Sequence, residues 1–126
     1  MSMRTPLNRV KGLGSAHEGT DHFWRQRLTA IANVPLILGF VALLVCLAGA
    51  DHATTVAALS NPLVALLLLA LVVSATIHMR LGMQVIVEDY VHHEGAKLVC
   101  LVANTIFSAA IALAAIFAIL KIAFGA

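Results

Sequence analysis

Three long apolar runs, at about 28–50, 63–87 and 98–124, alternate with short polar stretches and follow a polar segment over residues 1–27. Each run meets the roughly 20 consecutive apolar residues that a helix needs to cross a bilayer. The pattern predicts an all-α membrane protein: a polar N-terminal segment, 1–27, ahead of one three-helix transmembrane unit, 28–126. Pro35 falls early in the first run, and membrane helices tolerate it because neighbours re-satisfy the freed carbonyl. Asp51-His52-Ala53-Thr54-Thr55 reads as a short polar connection. Ser60-Asn61-Pro62 then signals a helix start, with a capping side chain ahead of a proline near the first helical position. A polar turn from Glu88 to Lys97, containing His92, His93, Glu94 and Gly95, leads into the third run.

Composition narrows the class further. With 61% hydrophobic and 11% charged residues among 126, and a mean hydropathy of +0.97, the chain is too apolar to keep its surface in water. The net charge of +2 is too small for nucleic-acid binding. Arg4, Arg9, Lys11, Arg25 and Arg27 crowd the N-terminal segment, the first connection has no Lys or Arg, and Arg80 and Lys97 border the second. That bias predicts a cytoplasmic N-terminus and second connection, with the C-terminus on the opposite side of the membrane. Lys121, near the opposite end, snorkels. The apolar core comes too late and runs too long for a secretory signal, so the first run is expected to stay as an uncleaved span. Cys46 and Cys100 lie within apolar runs without a CxxC or CxxCH pattern, which points to core thiols. His17 and His22 have no third ligand at metal spacing and read as solvated or interfacial.

Chemistry concentrates between His78 and Tyr90, where a histidine, an arginine, a glycine, two carboxylates and a tyrosine follow an almost unbroken apolar run. A helix from Leu63 to Val87 is about 37 Å long at 1.5 Å per residue, which puts His78 inside the cytoplasmic half of the bilayer. An imidazole there is a functional-site candidate by default; the alternative is that the helix enters the interface at His78 and the ring is wetted. Ser74, His78 and Gly82 repeat every four residues and share one face, with Ala75 beside them. Two readings fit that face. The small residues leave clearance for a flat group such as haem with the imidazole on iron, or they serve close helix packing. Arg80 points to roughly the opposite side and reads as a boundary arginine that snorkels or pairs with an acidic group. Asp89 and Tyr90 lie about 17 Å further along the helix, at the interface. A tyrosine there suits the aromatic belt, but a phenol is also a good donor to a quinone carbonyl, with the neighbouring carboxylate to orient it or relay protons.

His78, Gly82 and Asp89-Tyr90, together with Arg27-Leu28-Thr29-Ala30 ahead of the first span, resemble the hydrophobic membrane anchor subunit of succinate dehydrogenase, respiratory complex II. Gly12-Leu13-Gly14-Ser15-Ala16 and the stretch from Gly19 to Arg27 resemble its alphaproteobacterial form and, more distantly, the mitochondrial one. The resemblance covers nearly the whole chain. It implies a partner membrane anchor subunit, an iron–sulfur subunit and a flavoprotein subunit, with FAD and the iron–sulfur clusters held only in those partners. This chain has neither a dinucleotide fingerprint nor a cysteine array for them. The resemblance also implies that His78 is an axial ligand of haem b, the other ligand coming from the partner anchor. Tyr90, with Asp89 close by, is implied in the ubiquinone site, and Arg27 in the haem propionate or quinone region. The implied function is anchoring and electron transfer in succinate:ubiquinone oxidoreduction, within the tricarboxylic acid cycle and respiratory chain. Two other readings stay open: the anchor of a fumarate reductase, and a structural three-helix membrane protein without a redox cofactor.

Overall fold

The computed structural model describes residues 5–12 and 18–125. Arg4, the 13–16 part of the glycine-containing motif and His17 lie outside the described residues. Among the described residues the chain is all-helical: α1 (Pro6–Val10), α2 (Glu18–Leu47), α3 (His52–Leu59), α4 (Pro62–Tyr90) and α5 (Glu94–Ala123). Three of these contain stretches long and apolar enough to cross a membrane: Thr20–Leu47, Pro62–Tyr90 and Glu94–Ala123.

The polar turn expected from Glu88 to Lys97 shrinks to residues 91–93, because Glu88 to Tyr90 continue α4 and His93 caps an α5 that already starts at Glu94. Two further boundaries differ from the hydropathy pattern, each for a local reason. Helix α2 begins ahead of Leu28, so the polar turn before the first apolar run is already helical. An Asp21–Arg25 ion pair of 2.9 Å at i,i+4 spacing bridges that turn, and the Phe23 and Trp24 rings meet edge to face. The stretch at Asp51, expected as a connection, instead starts α3. Asp51 is its N-cap, accepting from the Thr54 N–H at 2.9 Å, while the Thr55 hydroxyl donates to the Asp51 carbonyl. Hydrogen bonding from Thr54, first its side chain and then its backbone N–H, holds the Asp51 carboxyl below the ordinary aspartate range. Ser60 ends α3, and its hydroxyl reaches both the Val56 carbonyl (2.8 Å) and the Ile122 carbonyl (3.1 Å), tying α3 to the end of α5. The helix start at Asn61-Pro62 forms as expected: the Asn61 side chain accepts from the Leu63 N–H at 2.9 Å and Pro62 opens α4.

Helix α4 is the middle of the assembly, with α2 and α5 packed antiparallel along it and α3 lying over the ends of α4 and α5. At Gly39 a Cβ would sit 2.7 Å from Leu67 Cδ1, so α2 presses its backbone onto that leucine of α4. A row of three helices encloses little. Among the described residues only Asn33, Ala65, Leu81, Val87 and Ser108 are buried. Cys46 is exposed and Cys100 half-buried, both as free thiols, so the core environment expected for Cys46 is absent: it faces outward from α2. In lipid such exposure costs nothing, because chain tails are as apolar as the side chains they meet, and it leaves both outer helices open to partner helices.

Candidate functional site

His78 sits half-buried on α4 and faces α2. Its Nδ1 lies 3.2 Å from the Thr29 hydroxyl, and that hydroxyl also contacts the carbonyls of Arg25 (2.7 Å) and Gln26 (3.1 Å) one turn earlier. One turn along α4, the Ser74 hydroxyl donates to the Thr29 carbonyl at 3.3 Å. One turn the other way, a Cβ added at Gly82 would meet Gln26 Nε2 at 3.4 Å. Ser74, His78 and Gly82 therefore form a single stripe turned to α2, and the small residues let the two helices approach. His78 Nε2 makes no hydrogen bond among the described residues and is not one of the buried polar atoms that lack a partner.

On the facing surface of α2, His22, Gln26, Thr29 and Asn33 follow one another at intervals of four, three and four, a single helical face. Asn33 is only 9% exposed. His22 Nε2, Gln26 Oε1 and Asn33 Oδ1 are buried without a hydrogen-bond partner. His22, read from the sequence as solvated or interfacial, has its Nε2 buried because α2 starts early enough to carry it onto the packed face. Gln26, Thr29 and Asn33 were not singled out as chemistry-bearing residues. The signal was nonetheless in the chain, as polar side chains recurring at helical spacing within and just before an apolar run. Buried polar groups left unpaired in lipid are costly, which makes this seam a candidate functional site.

Positive charge gathers beside the seam. Arg25, Leu28, Thr29, Ile77, Arg80 and Leu81 line an open cleft of about 470 Å³ between α2 and α4. Arg27 is turned elsewhere, its guanidinium 4.6 Å from the centroid of the Phe23 ring. Toward the end of α4, Gln84 Nε2 donates to Glu88 Oε1 at 2.8 Å, and Lys97 Nζ donates to the Glu88 carbonyl at 3.0 Å, fastening the start of α5. Asp89 and Tyr90 close the helix, both exposed, with Tyr90 at 77%. Eleven residues past His78, Asp89 returns to within about 20° of the histidine stripe, whereas Tyr90 is turned about 120° from it. One helix thus carries His78 within the seam and a phenol–carboxylate pair at its open end. No group of three or more His, Cys, Asp or Glu side chains able to hold a metal occurs among the described residues. An iron held here takes one ligand from this chain and needs another from elsewhere.

The model of the family described as succinate dehydrogenase/fumarate reductase transmembrane subunit matches residues 1–120. A succinate dehydrogenase hydrophobic membrane anchor subunit of Paracoccus denitrificans is 30% identical over 122 residues, covering 97% of this chain and 94% of the relative. The protein of the same name from Rickettsia bellii is 30% identical over 105 residues, or 83% of this chain and 84% of the relative. A succinate dehydrogenase membrane anchor subunit of Reclinomonas americana is 33% identical over 84 residues, or 64% and 70%. No solved structure matches the chain at comparable significance.

Proposed function

This chain belongs to the succinate dehydrogenase/fumarate reductase transmembrane subunit family, as a succinate dehydrogenase membrane anchor, and from that premise we propose that it contributes a haem b ligand and part of a ubiquinone site. The observation that carries the proposal is His78, whose Nδ1 is held by Thr29 while Nε2 is left without a hydrogen bond. That is the donor state an axial imidazole needs. Bound haem supplies a one-electron relay within the membrane. His78 offers it one ligand, and a partner anchor subunit supplies the second. Ser74 and Gly82 belong to the pocket as the small residues that let α2 close beside His78. Arg25 and Arg80, which line the cleft beside the seam, provide cationic charge for the propionates of such a group, and Arg27 joins them only by leaving its place over the Phe23 ring.

At the end of α4, the Tyr90 phenol donates a hydrogen bond to a quinone carbonyl and Asp89 orients it or passes on protons. Reduction of ubiquinone to ubiquinol takes two electrons and two protons. The electrons come from oxidation of succinate to fumarate in the flavoprotein and pass through an iron–sulfur subunit. This chain binds, orients and moves protons at one edge of that site. We place the N-terminus and the α4–α5 connection on the cytoplasmic face of a bacterial inner membrane, following the Lys and Arg bias, with the C-terminus periplasmic. The family also includes fumarate reductase transmembrane subunits, and the relatives being succinate dehydrogenase anchors favours the succinate enzyme.

The test is made on the purified complex. His78→Ala should abolish the b-type absorbance while flavin and iron–sulfur content persist; unchanged haem content would defeat the assignment. Tyr90→Phe should lower quinone reduction more than succinate oxidation by an artificial acceptor. Equal loss of both activities, or of neither, would remove Tyr90 from the quinone site.

A further inference from the structure

Beyond the ligand itself, we infer that Thr29 is the positioning residue that fixes the tautomer and orientation of His78. This inference rests on the haem reading above. The Thr29 hydroxyl has one proton and three near neighbours: the Arg25 carbonyl at 2.7 Å, the Gln26 carbonyl at 3.1 Å and His78 Nδ1 at 3.2 Å. Carbonyl oxygens only accept, and two oxygens 2.7 Å apart repel unless a proton lies between them. The hydroxyl proton therefore goes to the Arg25 carbonyl. What Thr29 turns to His78 is a lone pair, so His78 Nδ1 carries the ring proton and donates it. A neutral imidazole protonated on Nδ1 has its free lone pair on Nε2, the atom without a hydrogen bond among the described residues.

The acceptor is itself held in place. The Ser74 hydroxyl ties the Thr29 carbonyl to α4 one turn from His78, and the hydroxyl's bond to the Arg25 carbonyl stops the Thr29 side chain from rotating away. Thr29 therefore acts on the metal through the far nitrogen. It orients the ring before any metal arrives and, by accepting from Nδ1–H, makes Nε2 more electron-rich. A richer axial ligand favours the oxidised iron, so losing the acceptor should raise the haem midpoint potential.

The experiment compares Thr29→Val, which keeps the shape and removes the hydroxyl, with Thr29→Ser, which restores it, and with His78→Ala, all in the purified complex. Haem is quantified per flavin and its midpoint potential is read by redox titration. Thr29→Val is expected to weaken haem retention by roughly 10-fold, the lower end of the cost of losing an outer-shell partner, and to shift the potential upward. Thr29→Ser should return both to the parent values. If valine prevents assembly, Thr29→Ala makes the same comparison with less bulk in the seam. Parent haem content and potential in the hydroxyl-free variant, with His78→Ala haem-free, would overturn the role of Thr29 alone. The same holds if serine fails to restore what valine removes. Haem retained in His78→Ala would overturn the underlying haem reading and this inference together.

Discussion

Against α2, helix α4 presents Ser74, His78 and Gly82 to a stripe of polar side chains; against α5 it presents Met79, Met83 and Val87 to Cys100, Ala103 and Phe107. The α5 side is an apolar groove of about 500 Å³. Its main polar member, Asn104, is satisfied by donating to the Arg80 carbonyl at 2.9 Å, while buried Ser108 donates from its hydroxyl to Asn104 Oδ1 at 3.5 Å. The α2 side leaves three buried polar atoms unpaired within one helix face. Both pairings bury little in this chain, and neither is driven by exclusion of water, since lipid surrounds both. The contrast separates a seam of unpaired polar groups, which carries the candidate site, from one whose polar groups are paired.

The largest way to break that contrast is to wedge the polar seam open. Gly82→Leu puts bulk where a Cβ would already touch the Gln26 amide, and it should destabilise the α2–α4 pairing by about 1–3 kcal/mol. A denaturant titration of the detergent-solubilised chain reads it. Parent stability would mean that the two helices are not held at this spacing. A smaller effect, of opposite sign, is expected at Asn33. Replacing this buried amide with leucine removes an orphaned carbonyl oxygen and should raise stability by about 1 kcal/mol in the same titration. Destabilisation instead would show that Asn33 is already paired in the solubilised chain. The smallest effect belongs to the α5 side. Asn104→Ala loses a single interhelical hydrogen bond and should cost about 0.6 kcal/mol, the average found for such bonds in membranes. It should also leave haem content unchanged. Loss of haem in Asn104→Ala would erase the distinction between the two sides.

Much of this architecture is legible from single positions. Asn61 and Pro62 open α4 as their chemistry demands, and the spacing of Ser74, His78 and Gly82 already implies one shared stripe. The purpose of that stripe was open between clearance for a flat group and helix packing. Gln26 against Gly82 and Thr29 against Ser74 and His78 show helix packing, with the histidine edge left for a ligand. Helix α3 was missed because its opening residues, Asp51 to Thr55, are polar enough to resemble a connection. Their capping pattern becomes decisive only with Ser60 anchored to Ile122 at the end of α5. The environment of His22 depends on how early α2 begins, which hydropathy does not show.

The sequence by itself determined that three stretches are long and apolar enough to cross a membrane and that Ser74, His78 and Gly82 share one helical face, while the continuation of that helix through Asp89 and Tyr90 came from the structure. Transfer from water into lipid is a sum over a local window, and helical periodicity is a property of neighbours along the chain. Only the tertiary structure decided that α4 lies in the middle, that its histidine stripe turns to α2, and that Thr29 rather than water meets Nδ1. Once inside lipid, apolar helices gain nothing by hiding hydrophobic surface from one another. Their pairing is settled by which small residues allow close approach and which few polar groups meet across the gap, and those are facts about two helices at once.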